Sequence, residues 1–431
     1  MSREENRRNF SKYVSQNILG MIGFSCYVLA DSYFISIAKG ADGLTALNLV
    51  MPLYSIIFSI GEMIGVGSAI RYAISKIKKD ADADKYFWNA IIWCIISSMI
   101  FVFAGIFFSA DIMRVLGADE HIVAVGNNYT KIFMCFAPMF MCNYVTNAFV
   151  RNDGAPGIAM SATLFSSLFN IVFDYILMFP MNLGMEGAAL ATALSPIIGM
   201  GICSIHFFSK KSRVRLVVCK PSVRKLVAGS QLGVSAFVGE MSSAVITLAF
   251  NFVILKLAGN VGVAAYGVVA NIAIVTTAVF NGVAQGSQPL ISSCFGRGDK
   301  DGCTQLKRMG YTTAFVLAAV MYSILFIFAG QFVAVFNSEG SEMLRLYATE
   351  GVKLYFIGIF FAGINIVGGG AFSATEDAFK AAVVSVARGF VLILGAVFVM
   401  SALFGMTGVW LAYAVAEGIT TFIMLVMVLR V

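Results

Sequence analysis

Residues 183–195 read LGMEGAALATALS, and residues 404–416 read FGMTGVWLAYAVA. Gly184, Met185, Gly187, Leu190, Ala191 and Ala193 of the first stretch recur as Gly405, Met406, Gly408, Leu411, Ala412 and Ala414 of the second, so that every pair is 221 residues apart. Working outward, GADGLTALNLV from Gly40 matches GNVGVAAYGVV from Gly259, at a separation of 219. The same separation pairs Gly67-Ser68 with Gly286-Ser287, and Asp80 and Asp82 with Asp299 and Asp301. The chain is therefore two copies of one unit of about half its length.

The composition says what that unit is made of. Of 431 residues, 59% are hydrophobic and 12% charged. A soluble surface needs roughly twice that charge. The charges also avoid long stretches: Val14–Ala38, Phe87–Ala110 and Tyr311–Phe336 each carry at most one. About 20 apolar residues are needed to carry a helix across roughly 30 Å of hydrocarbon. Twelve such stretches are present, six in each copy. Their length and lack of two-residue alternation exclude a β-barrel. The expected fold is all-α and integral to the membrane, with twelve transmembrane helices in two six-helix lobes. An even number of spans per copy makes the copies parallel, related by a pseudo-two-fold axis along the membrane normal. The expected division is a cytoplasmic N-terminal segment 1–13, an N-lobe 14–208, a basic linker 209–228 and a C-lobe 229–431.

The net charge of +7 reflects topology. Lys and Arg gather at the N-terminus (Arg3, Arg7, Arg8, Lys12) and in alternate loops, most densely in the linker from Lys210 to Lys225. By the positive-inside rule both termini lie in the cytoplasm. No nucleic-acid partner is expected. The first apolar stretch is too long for a cleaved signal and contains Asp31. The eight cysteines form no C-x-x-C pair, which argues against a disulfide framework or a metal site.

Ionisable groups inside membrane helices cost roughly 2.5–3.5 kcal/mol even on the mildest scale, and such groups are usually functional or paired. Asp31, Glu62, Asp174, Glu240, Arg388 and Glu417 are of this kind. Asp31 lies 17 residues after Val14, and Asp174 lies 17 after Gly157. Both helices start inside, so both carboxylates sit roughly 26 Å up. Asn170 is one turn before Asp174 on the same face. Thr192, in a descending helix, reaches the same outer level. Two carboxylates, an amide and a hydroxyl suit a hard monovalent cation or a shared proton. Arg388 and Glu417, at mid-depth in consecutive helices, read as a structural ion pair. Glu240, near the bilayer centre with no obvious partner, is a candidate for a cationic substrate or an ion. Glu62 aligns with Asn281 in the repeat and takes no assigned role. Among 38 Phe and 22 Met, those lining a cleft would suit flat lipophilic cations. Pro52, Pro138, Pro196 and Pro289 are expected kinks.

The motifs ADSYF at Asp31, ALNLVMPL after Gly43, FVRNDGAP at Arg151, FNIVFDYIL at Asp174 and LGMEGAALATALS at Thr192 together resemble the multidrug and toxic-compound extrusion (MATE) family, in its bacterial branch, over nearly the whole chain. The resemblance implies secondary-active efflux of lipophilic, mostly cationic organic compounds in exchange for H+ or Na+, by alternating access of two lobes. It maps the N-lobe cation site onto Asp31, Asn170, Asp174 and Thr192, and adds Tyr129 and Asn147. Some members use acids in the C-lobe. Glu240 fits that pattern, but the matching stretch of helix 10, GINIVGGGAFSATED, has no acid in its membrane part. No cofactor and no metal other than a coupling Na+ is implied. The expected setting is a monomer in the cell membrane, surrounded by lipid. Two other readings compete. A lipid-linked oligosaccharide or lipid flippase would more often have extra helices and a cationic cleft. A membrane enzyme would need a catalytic constellation, yet His121 and His206 are the only histidines. No G-x-x-x-x-G-K loop for direct ATP use is present.

Overall fold

In a computed structural model, the described residues, 3–336 and 341–429, form helices joined by short loops, with no strand among them. The expected segments 1–13 and 229–431 run past those limits at residues 1–2, 337–340 and 430–431, which lie outside the described residues.

The N-lobe comprises α1 (Arg3–Gly40), α2 (Asp42–Ile77), α3 (Lys85–Val115), α4 in two pieces (Glu120–Cys135 and Ala137–Asn152, bent by 46°), α5 (Pro156–Met178) and α6 (Gly184–Phe207). In the C-lobe the helix Val223–Gly296 breaks at Gly259 into α7 (223–258) and α8 (260–296). Next come α9 (Lys300–Ile327), followed by a short helix Ala329–Phe336, and α10 (Glu342–Ala374). The stretch Ala378–Val428 breaks at Gly405 into α11 (378–404) and α12 (406–428). With these breaks counted, the described residues form twelve spans in two six-helix lobes, as the sequence leads one to expect. The bend in α4 falls at Phe136, and Pro138, whose ring removes a backbone donor, stands in the first turn of the second piece.

The repeat has a backbone cause. Gly40, Gly184, Gly259 and Gly405 all take a positive φ, between 52° and 61°, at hairpins between consecutive helices. L side chains rarely adopt that conformation. Three residues on, a Cβ at Gly187 would lie 2.8 Å from the carbonyl carbon of Leu177, and one at Gly408 would lie 1.9 Å from the oxygen of Met400. The second glycine of each motif therefore lets the hairpin arms close.

Two helix starts lie earlier than the apolar stretches indicate. α1 runs from Arg3, with Glu4 and Glu5 in its first turn where the helix dipole favours them. Its first turns are buried against the other lobe: Phe10 and Val14 join the C-lobe core, and Asn6 Nδ2 donates to Gln305 Oε1 of α9 at 3.1 Å. α7 begins at Val223, capped by the Ser222 hydroxyl, which accepts from the Lys225 backbone N–H.

The lobes meet mainly through α1 and α2 against α7 and α8. The tightest glycine contacts between them lie toward the face that carries the basic loops. A Cβ on Gly67 would lie 2.1 Å from the Gly229 carbonyl oxygen, and one on Gly233 would lie 2.0 Å from that of Met63. In the mirrored contact, a Cβ on Gly286 would lie 2.7 Å from Val14 Cα and one on Gly282 would lie 2.6 Å from Ile18 Cα. The pairs Gly67–Gly286 and Val14–Gly233 share the 219-residue separation, so one contact is used twice across the pseudo-two-fold axis. Side chains seal the same face. Arg71 of α2 pairs with Glu376 in the loop between α10 and α11, and Lys78 approaches that carboxylate at 3.5 Å. Asp82 binds Lys225 at 2.9 Å; hydrogen bonds from Lys85 and Lys225 hold its carboxyl low, at about 2, so it stays charged at physiological pH.

Candidate functional site

α5 and α6 bring three of the expected polar residues together, and α1 supplies the fourth. Asn170 and Asp174 are one turn apart on α5, and Thr192 faces them from α6. With its amide oriented to satisfy both neighbours, Asn170 donates to Asp174 Oδ2 at 3.1 Å and accepts from the Thr192 hydroxyl at 3.2 Å. All three are buried, as is Asp31, which acts electrostatically on Asp174. The decisive feature is what is left unmade. Among the described residues, Asp31 Oδ1 and Asp174 Oδ1 are buried with no hydrogen-bond partner. A buried carboxylate oxygen without a partner is costly. A proton or a small hard cation would satisfy such an oxygen.

Tyrosines surround this cluster. Tyr129 and Tyr54 are hydrogen-bonded through their hydroxyls, and both lie in electrostatic reach of Asp31 and Asp174. Tyr27, one turn before Asp31, does too. Tyr54 is held by stacking on Phe133, with ring centroids 3.6 Å apart. Asn147 is elsewhere: its amide donates to the Ala159 carbonyl at 3.2 Å and to Thr163 Oγ1 at 3.1 Å, and it lines a cavity nearer the basic face. The resemblance groups Tyr129 and Asn147; the structure sets Tyr129 beside the acids and Asn147 apart from them.

That cavity, of about 110 Å3, is walled mostly by the N-lobe, and Glu240 and Gln285 reach it from the C-lobe across the lobe boundary. Aromatic side chains, Phe24, Phe58, Phe140 and Tyr144 among them, form much of its wall. Glu240 opens into it, but not alone: Glu62 is near enough to interact with it electrostatically. Glu62 accepts from Gln285 Nε2 at 3.2 Å, and Gln285 Oε1 accepts from Arg151 Nη1 at 2.6 Å. A glutamine of the C-lobe thus bridges an acid and a base of the N-lobe. Arg151 appears in the sequence only as part of a motif, and Gln285 carries no charge to draw notice. Arg151 sits one residue before its helix end, where an arginine is ordinarily solvated, yet it is only 4% exposed, with Gln285 of α8 and Asn17 of α1 as its hydrogen-bond partners.

In the C-lobe, Arg388 Nε donates to Glu417 Oε1 at 2.9 Å. Asn365 donates to Glu417 Oε2 at 2.7 Å and accepts from Thr421 at 3.0 Å. Arg388 lies in a wide π-helical turn, 387–391, which interrupts α11. Neither partner lines the cavity. If the pair is structural, Arg388→Met alone should lower stability by about 3–5 kcal/mol, because it strands a buried carboxylate. The double substitution Arg388→Met with Glu417→Leu should recover most of that loss. Thermal unfolding of the detergent-purified variants measures both. An undamaged single variant would remove the structural assignment.

Among the described residues, no group of three or more His, Cys, Asp or Glu is arranged to hold a metal ion. The oxygen cluster at Asp31 and Asp174 is instead two acids completed by an amide and a hydroxyl.

Comparison with known proteins follows the same division into halves. The MatE family model matches residues 17–176 and again 236–399. The multidrug export protein MepA of Staphylococcus saprophyticus is 26% identical over 405 residues, covering 93% of this chain and 89% of its own. MepA of Staphylococcus aureus strain MRSA252 is 27% identical over 414 residues, with the same coverage. Among solved structures, the outward-facing conformation of a multidrug resistance MATE family transporter of the MOP superfamily superposes with a TM-score of 0.92 at 20% identity, over 99% of this chain and 96% of that one. A MOP superfamily transporter from Pyrococcus furiosus, described as having a binding pocket of reversed polarity, superposes with a TM-score of 0.90 at 19% identity, over 98% and 95%. Matched by the family model in both halves, the chain belongs to the MatE family of membrane transporters.

Proposed function

We propose that the protein is a secondary-active exporter of lipophilic, mostly cationic organic compounds, driven by entry of H+ or Na+ at Asp31, Asn170, Asp174 and Thr192. It works as a monomer in the cell membrane, with the basic face and both termini in the cytoplasm. The observation that carries the reading is the pair of buried carboxylates with unpartnered oxygens in the N-lobe. The inter-lobe cavity, with two acids and an aromatic wall, supports a cationic cargo. The glycine contacts support a cycle in which the lobes part at the cytoplasmic face and close at the other. The sealed basic face corresponds to the outward-facing state. The test is efflux of a dye cation from proteoliposomes under separately imposed proton and sodium gradients. One of the two gradients should drive uphill export. Failure of both, with the protein correctly inserted, would overturn the reading.

Glu240 is assigned to the cargo rather than the coupling ion. It faces the aromatic cavity, below the Asp31–Asp174 level. Glu240→Gln should weaken binding of a cationic dye by roughly 1–3 kcal/mol, the range for leaving a buried polar partner unsatisfied. A matched neutral dye should lose much less, and the ion dependence of residual transport should survive. Equal losses for both dyes would return Glu240 to a structural role. Loss of ion dependence would place it in coupling.

A further inference from the structure

The basic face carries a second concavity, separate from the inter-lobe cavity. It lies between α1 of the N-lobe and α9 of the C-lobe, with a volume of about 600 Å3. Its upper rim holds Arg7 and Arg308, one from each lobe, both exposed. Among the described residues neither has an ion-pair or hydrogen-bond partner. Below them come four hydroxyls, those of Ser11, Ser15, Thr312 and Thr313. The far end is apolar, formed by Ile18 and Leu317. Leu19, Phe315 and Val316, next along the same two helices, are each more than half exposed, which marks this side as facing hydrocarbon.

We propose that this groove binds one anionic phospholipid of the leaflet at the basic face. Along it the two guanidinium groups come first, then four hydroxyls interleaved with Phe10, Val14 and Met309, then Ile18 and Leu317, so polarity falls away from the basic face as it does in a phospholipid read from its phosphate to its acyl chain. Two guanidinium groups suit a phosphodiester, which they can hold with paired hydrogen bonds. The hydroxyls stand where the ester oxygens would lie. Arg7 to Ile18 spans 11 residues, about 16 Å of helix, close to half of a hydrocarbon core of roughly 30 Å. The groove is thus as deep as one leaflet. The neighbouring sequence is basic on balance: besides Arg7 and Arg308, residues 3–12 and 297–308 carry six Lys and Arg (Arg3, Arg8, Lys12, Arg297, Lys300, Lys307) against four acids (Glu4, Glu5, Asp299, Asp301). A free phosphate would account for the arginines but not for the apolar lower half.

The groove is also specific to one state. It has two walls only while α1 lies against α9, where Gln305 Nε2 donates to the Arg3 carbonyl at 3.0 Å and Asn6 Nδ2 donates to Gln305 Oε1 at 3.1 Å. A ligand that binds one conformation better shifts the population toward it. The lipid therefore favours closure of the basic face. Naming the leaflet as cytoplasmic rests on the proposed orientation; the binding itself does not.

Native mass spectrometry of the detergent-purified protein tests this without requiring transport. Dioleoyl phosphatidylglycerol and dioleoyl phosphatidylcholine are titrated in parallel. The wild type should retain one phosphatidylglycerol at least about tenfold more tightly than phosphatidylcholine, as two basic groups near a lipid phosphate allow. The variant Arg7→Gln with Arg308→Gln should lose that preference. Leu317→Trp, which fills the apolar end, should weaken both lipids. Lys210→Gln with Lys211→Gln, in the linker, should behave as wild type. Equal retention of the two lipids by the wild type, or undiminished phosphatidylglycerol binding in the double arginine variant, would overturn the proposal. Displacement of the lipid by millimolar inorganic phosphate would reassign the groove to a phosphate site and overturn it as well.

Discussion

Asp174→Asn is expected to reduce gradient-driven efflux to about 1% of wild type or less, with the protein still inserted at the wild-type level. Asn has nearly the shape of Asp and can keep the Asn170 contact, so the fold has little reason to change. In the proposed coupling role, what would be lost is the charge that lets a cation bind one state better than another. A ligand with equal affinity for both states shifts nothing, and a full population swing needs about 5.5 kcal/mol of difference. Asp31→Asn should behave alike, since its unpartnered oxygen belongs to the same cluster. Dye efflux from vesicles under the driving gradient, normalised to protein content, makes the comparison. Near-wild-type transport by either variant would remove that residue from the coupling site.

The second large effect is expected at Gly67. Its missing side chain allows α2 to touch α7, and a Cβ there would lie 2.1 Å from the Gly229 carbonyl oxygen. Backbone cannot yield that much without parting the helices, so Gly67→Val should prevent closure of the basic face. Transport should fall below detection while the six-helix lobes stay folded. Spin labels at Arg3→Cys and Lys300→Cys, in a cysteine-free background, should report a longer distance in the Gly67→Val protein. Gly201→Val is the control, because a Cβ at Gly201 meets nothing within 4 Å. An unchanged label distance in Gly67→Val, or equal damage from Gly201→Val, would contradict the contact's role.

These two sites differ in how far the sequence discloses them. Helix rise converts residue number into depth, so the sequence alone assigns Asp31, Asp174 and Thr192 a common level. The hairpin glycines are equally legible, because Gly184 and Gly405 recur in matched surroundings. Depth does not give direction around the helix or distance between lobes. Glu240 therefore reads as a lone acid, although Glu62 stands near it across the cavity. Gln285, which joins Glu62 to Arg151, is uncharged and sits on the other copy of the repeat. Tyr54 escapes notice for the same reason: only the packing of α2 against α4 brings its hydroxyl to Tyr129. The early start of α1 at Arg3 is hidden by its charges, which suggest a solvated tail until Phe10 is seen in the core of the other lobe.

The central claim is that a cation at Asp31 and Asp174 and a substrate in the inter-lobe cavity bias the same two-lobe equilibrium. Linkage requires that the effect of each on the other's binding be reciprocal. The direct measurement is the dissociation constant of a dye cation for the purified protein, titrated with the coupling cation identified in proteoliposomes. The wild type should bind the dye more weakly as that cation is raised, and Asp174→Asn should bind the dye with an affinity that does not change. An Asp174→Asn protein whose dye affinity shifts as much as the wild type's would contradict the claim.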